Sequence, residues 1–287
     1  MFRKFSPINL TLIAILSTSA LLFSSCGGGH EEEANSESKD FEVTKDTMKS
    51  EVRVNFDMLR VNIPTPSKLA GLLSKAKINY NKGFLTPASK GGSFSTNYQK
   101  AVGLGALGAD LSVSAAYNQS QDAVEYLGQV AKLAGDLGIG NAFDPEFSKE
   151  LIKNVSKPDT FQIMLDKAFD KAERNLRSNQ RVAMSILMLT GGWIESLYVS
   201  AEGLNTNPNG ANTKEIYADI NGHCYSFEYI YQLLDAYKSN ADCAKLASDL
   251  EPFKARLKSI ANNSKISATE LPYIRETATG LRNKIIG

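Results

Sequence analysis

Two carboxylates stand out because of what surrounds them. Asp110 follows the small, apolar run Gly105-Ala106-Leu107-Gly108-Ala109, and Glu195 follows Gly191-Gly192-Trp193-Ile194 in the most apolar stretch of the folded part. A carboxylate in such a setting is costly unless it is paired. Paired glycines in a helix cost ~1 kcal/mol each, so close packing or the approach of a ligand must offset them. Two opposed carboxyls can hydrolyse a glycosidic bond when they lie roughly 5–5.5 Å apart (retaining) or 6.5–9.5 Å apart (inverting). They can equally close a core network that fixes the register of two helices. Asn118, Gln121 and Trp193 complete the candidate ligand-binding set, with Trp193 as a stacking wall. An open cleft faced by both carboxyls would mean an enzyme, an envelope hydrolase; a sealed network would mean a binding or structural module.

The remaining motifs carry less. Gly103-Leu104-Gly105-Ala106-Leu107-Gly108 spells a dinucleotide fingerprint, which needs a strand before it and a helix after it. Polar Ser95 to Lys100 precedes it, so a small-residue helix face is the better reading. Asn205 to Gly210 resembles the front of a calcium loop, but its twelfth position, where a bidentate Glu belongs, is Ile216. His223 and Cys224 could begin a zinc site, but no spaced set of three or four ligands follows. With His30 in an acidic segment, a histidine-based triad would rest wholly on His223. No catalytic residue, metal ligand or cofactor is assigned.

Cys26 offers chemistry of another kind. Arg3 and Lys4 precede an apolar core from Ile8 to Phe23, too short for a comfortable membrane span of ~20 residues and ending in Ser24 and Ser25. That is a signal-peptide pattern. Phe23-Ser24-Ser25-Cys26 resembles the lipobox of bacterial lipoproteins, which implies cleavage before Cys26 and acylation of it, palmitate being a typical chain. Two or three acyl chains anchor a protein stably. Residues 27–50 are rich in Gly and Glu and poor in apolar side chains, a composition that cannot offset chain entropy. They read as a flexible tether spanning on the order of 25–30 Å. The acidic run after Cys26 reads either as a solvated spacer or as the surface-export signal it resembles.

The chain carries 32 basic and 31 acidic residues, and the signal peptide holds Arg3 and Lys4 but no acid. So balanced a chain has no electrostatic footprint for nucleic acid. Cys224 and Cys243 are expected near opposite ends of an intervening helix ~20 Å long, whereas bridged Cα atoms lie roughly 4.4–6.8 Å apart. Two free, buried thiols follow.

From residue 51 the pattern is helical. Val52, Val54 and Phe56 alternate without a partner strand, so 51–63 reads as an extended lead-in. Thr65 then caps a helix with Pro66 at its first position. Further helices are expected near 96–116, 119–137 (stopped by Gly138), from Asp144-Pro145, behind a capping box Asp159…Gln162, and near 180–202. This last is apolar almost all round and should run through the core. After a loop at 205–212 come three more helices, the last opened by Ser267…Glu270. Cys224 should precede the first of these three and Cys243 begin the second. The expected architecture is all-α, an irregular bundle of about eight helices by this periodicity. Its divisions are 1–25 signal peptide, 26–50 tether and 51–287 helical domain.

Ile63-Pro64-Thr65-Pro66, Tyr80-Asn81-Lys82, Gly108-Ala109-Asp110-Leu111-Ser112, Tyr117-Asn118-Gln119 and Gly191-Gly192-Trp193-Ile194-Glu195 resemble, in order, motifs of an uncharacterised family of all-helical Bacteroidetes lipoproteins. The resemblance implies an outer-membrane lipoprotein on the periplasmic face or the cell surface, in contact with the membrane through Cys26 and open to an envelope protein complex. It implies no activity.

Overall fold

The computed structural model describes Met58 and residues 65–178, 181–263 and 266–287. The expected signal peptide, Cys26, the tether and all of the lead-in but Met58 lie outside the described residues. The described part is all-α: nine α-helices and three short 3-10 segments, with no strand among the described residues.

Local chemistry sets the helix starts. Helix α1 (Pro66–Lys75) has Thr65 as N-cap, its side chain accepting from Lys68 N–H at 3.3 Å. Helix α2 (Asn97–Ala116) opens with a full capping box between Thr96 and Gln99. Helix α3 (Ser120–Asp136) ends before Gly138, whose φ of +69° is the left-handed geometry glycine adopts without strain. Asp144 caps α4 (Pro145–Lys153) by accepting from Phe147 N–H at 2.9 Å. Helices α5 (Pro158–Ser178) and α6 (Val182–Thr206) follow, then α7 (Thr213–Ala236), α8 (Ala241–Asn262) and α9 (Leu271–Ile285).

Helices α2 and α6 form the centre and make the most extensive pairing in the fold. Both are buried over most of their length. Helix α6 is long and apolar enough to cross a membrane, yet 72% of that window is buried inside the fold, which marks it as a core helix. The two helices approach so closely that a Cβ on Gly105 would overlap the Met188 carbonyl oxygen, and one on Gly191 the Val102 carbonyl oxygen. The fingerprint-like glycines are therefore mid-helix contact points: Gly103 meets the Phe94 ring, Gly105 meets α6, and Gly108 meets the Phe169 ring.

Several boundaries differ from expectation. Helix α6 runs on through Asn205 and Thr206, because the apolar stripe continues to fully buried Leu204. Helix α7 starts before Ile216 and holds Cys224 in its interior, since Ile216, Ile220, Cys224 and Phe227 form one buried stripe. Ile216, at the twelfth position of the calcium-like loop, is core. Asp159 caps nothing: α5 begins at Pro158, and Gln162 turns inward to donate from Nε2 to the Ser112 carbonyl at 2.7 Å. Ser267 and Glu270 do bond, Glu270 accepting from Ser267 N–H at 2.9 Å, but they close a turn just ahead of α9. Cys224 and Cys243 are free and buried.

Candidate functional site

Asp110 and Glu195 come together across the α2–α6 crossing, both fully buried. They meet there with two residues that the sequence reading did not single out. Arg282 of α9 donates from Nε to Glu195 Oε2 at 2.8 Å and from Nη2 to Glu195 Oε1 at 2.8 Å. Thr86, between two 3-10 segments, uses every polar atom it has. Its N–H donates to Asp110 Oδ2 at 3.0 Å, its hydroxyl to Glu195 Oε1 at 3.1 Å, and its carbonyl accepts from Tyr126 OH at 2.8 Å. Arg282 Nη2 also donates to Thr86 Oγ1 at 2.9 Å, and its guanidinium lies 4.2 Å from the Tyr198 ring centroid.

Asp110 Oδ1 has no donor facing it. Burial, then the negative charge of Glu195, raises the Asp110 pKa well above the usual carboxylate range, against the opposing pull of Arg282. The shift favours the protonated form of Asp110, which can donate to Glu195. The Arg282 guanidinium offsets the buried Glu195 charge, as a buried ionic group requires. A long polar side chain on the inner edge of the last helix was the available signal for Arg282. Thr86 lay in a Thr-Pro turn, which carries no such mark.

The rest of the expected set is placed elsewhere. Asn118 is exposed, its φ of 56° closing the turn between α2 and α3. Gln121 is exposed on the first turn of α3. Neither joins the carboxyls, because α2 ends at Ala116 and the chain turns outward there. Trp193 is buried, and its Nε1–H donates to the His223 carbonyl at 3.0 Å and to Ser226 Oγ at 3.1 Å.

His223 belongs to a second buried polar group on α7. Its Nδ1 lies 3.2 Å from the Asp219 carbonyl and 3.7 Å from the Asp219 carboxylate, and Lys68 Nζ stands 3.5 Å from the same carboxylate. Burial lowers the His223 pKa and raises that of Asp219. His223 Nε2 has no hydrogen-bond partner among the described residues. No hydroxyl or thiol donates to the ring, so the group does not form a triad.

An open space lies beside the carboxyl network. Helices α2, α5 and α6 enclose a cleft of about 400 Å³ whose apolar walls include Phe169, Met188 and Leu189, with Gly192 and Trp193 contributed by α6. Neither Asp110 nor Glu195 lines it. Ligand pockets commonly have volumes of ≈ 300–1,000 Å³. Carboxylates of α5 stand on its rim: Asp170 is paired with Arg174, Glu173 with Arg177, and Asp166 accepts from Ser67 Oγ at 3.0 Å.

The fold and this site define an all-helical bundle with an ionic network in its core and an apolar-walled cleft between α2, α5 and α6. No protein-family model, curated protein or solved structure matches the chain.

Proposed function

We propose that this chain is a lipid-anchored module of a bacterial envelope that holds a ligand without transforming it. The observation that carries this is the separation of the carboxyl pair from the cleft. Glu195 spends its oxygens on Thr86 and Arg282, and Asp110 accepts from Thr86 N–H, while neither carboxyl lines the cleft, whose walls include Phe169, Met188, Leu189 and glycine. A hydrolase working through the pair would need both carboxyls facing an open space, and the sealed network lends that no support. The Phe23-Ser24-Ser25-Cys26 segment, the acidic stretch behind it and the resemblance to all-helical Bacteroidetes lipoproteins support an outer-membrane anchor at Cys26. The folded part would then sit at the membrane surface, on the periplasmic face or outside, within reach of an envelope protein complex.

Two measurements test the two halves. In cells fed radiolabelled palmitate the native chain should take label and fractionate with membrane, and Cys26→Ser should do neither; label on the variant rejects the anchor. Trp193 is the single tryptophan and it lines the cleft, so its fluorescence reports occupancy. Titration of the acyl-free mature chain (residue 26 onward, Cys26→Ser) with 1-decanol below its solubility limit should shift the emission saturably. A flat titration rejects the binding role.

A further inference from the structure

We infer that the cleft between α2, α5 and α6 takes an amphipathic amine, an aliphatic or aromatic body carrying one cationic head that pairs with Asp166. This rests on the reading of the cleft as a ligand site and adds the chemistry of the ligand.

The cleft is lined by apolar and by polar side chains. Phe169, Met188 and Leu189 give it apolar walls, and apolar surface removed from water there contributes ~25 cal/mol per Å². Asp166 and Ser112 also line it. Gln162 links them: it donates to the Ser112 carbonyl at 2.7 Å and lies four residues before Asp166, on the same face of α5.

Asp166 differs from the other carboxylates of the rim. Asp170 and Glu173 each have an arginine one turn on. Asp166 has only the Ser67 hydroxyl, and no cation pairs with it among the described residues. It is partly buried, and burial raises its pKa against the opposing Ser67 hydrogen bond, so the site holds a partly desolvated acid with no cation paired to it among the described residues. A cation at that point would relieve the desolvation cost, whereas an anion would meet the one carboxylate of the rim without a cationic partner; Lys167, also on the lining, has its side chain exposed.

The hydroxyls add an independent mark. Ser112 and Ser196 line the cleft at 2% exposure each, and neither hydroxyl is among the buried polar atoms without a partner, so both are open to a ligand in the cleft. An ammonium brings three donors: the Asp166 carboxylate can accept from one and the Ser112 hydroxyl from another.

The test compares decylamine, 1-decanol and decanoate, each below its critical micelle concentration, by Trp193 emission of the acyl-free mature chain at neutral pH. One charge-assisted hydrogen bond should make decylamine bind at least about tenfold tighter than decanol, with decanoate weakest. In Asp166→Asn the amine should fall to the affinity of the alcohol. Equal affinity of amine and alcohol in the native chain overturns the amine inference and leaves the cleft a binding site. An amine preference that survives Asp166→Asn overturns the assignment of the head group to Asp166. If none of the three moves Trp193, both the inference and the binding role fall.

Discussion

Arg282, on the last helix, grips Glu195, on the central one, through two nitrogens, with Nε 2.8 Å from Oε2 and Nη2 2.8 Å from Oε1. The Glu195 side chain is fully buried and that of Arg282 is partly buried, at 16% exposure. This pair ties α9 to the core, and through Thr86 it also ties down the segment that leads into α2. Removing one member of a buried pair leaves the other charge uncompensated, at a cost of about 3–5 kcal/mol. Arg282→Met should lose that much in urea denaturation of the acyl-free chain. Adding Glu195→Leu to it should recover a large part, since an apolar pair of similar volume is often neutral. A single variant that loses under ~1 kcal/mol, the range of an exposed pair, would show that the network is not sealed.

Asp110 should make stability depend on pH in a direction opposite to that of an ordinary paired carboxylate. Its pKa is raised in the fold, so its contribution is fully present below about pH 4, the unfolded value. It is lost as pH rises through the folded value. Asp122, Asp249 and Glu270, whose pKa values are lowered, act the other way, so the native profile alone is mixed. The difference between native chain and Asp110→Asn isolates the one group. Native should lead most at low pH, and Asp110→Asn should gain on it as pH rises. Melting curves that stay parallel from pH 4 to 8 would show that Asp110 is not the protonated partner. Asp110→Ala, which leaves Thr86 N–H without an acceptor, should cost about 1–3 kcal/mol and exceed the cost of Asn.

Helix existence and core faces were legible because burial follows a 3.6-residue period. Leu69, Leu72, Leu73 and Ala76, read as one stripe, are all buried. Starts with a side-chain cap, Thr65 and Asp144, were legible too. Cys224 was misplaced because His223 and Asn221 break the apolar run locally, while the stripe passes through positions 216, 220, 224 and 227 regardless. Half of the carboxyl network was visible, since an acid among small apolar residues must find a partner. Arg282 and Thr86 were not, because they lie far from both acids in the chain and only the packing of α9 on α6 brings them in. Asn118 and Gln121 were grouped with the acids by nearness in sequence, and the turn after Ala116 carries them outward. The cleft was invisible, since its walls come from three helices and no one of them shows it.

The thiols offer a check that does not involve the polar core. Cys224 and Cys243 are buried and free, and burial pushes each thiol up to about 12. The thiolate is the reactive form, so at neutral pH the folded, acyl-free chain should react slowly with a thiol reagent. In denaturant and without reductant it should take up two equivalents at once. No uptake until a reductant is added would mean a disulfide, which two cysteines inside separate helices of this fold do not form.

Glycine-to-alanine changes should separate the glycines that allow α2 and α6 to touch from those that are merely tolerated. At Gly105 an added Cβ meets the Met188 carbonyl oxygen and the Gly192 nitrogen, and at Gly191 it meets the Val102 carbonyl. These are backbone atoms of a facing helix and cannot rotate aside. Either variant must push the two central helices apart, and the expected loss lies at or above the top of the overpacking range, ~3 kcal/mol. Gly128, in the exposed face of α3, has nothing within 4 Å of such a carbon. There alanine should gain up to ~1 kcal/mol through helix propensity alone. Gly192 lies between these cases, its Cβ 3.3 Å from the Gly105 carbonyl oxygen, so the propensity gain and the tight contact should nearly cancel. Urea midpoints ordered Gly128→Ala above native, Gly192→Ala near native, and Gly105→Ala and Gly191→Ala far below are the expected result. If Gly105→Ala were as stable as native, the central helices would not be in backbone contact, and the crossing that brings Asp110 to Glu195 would have to be redrawn.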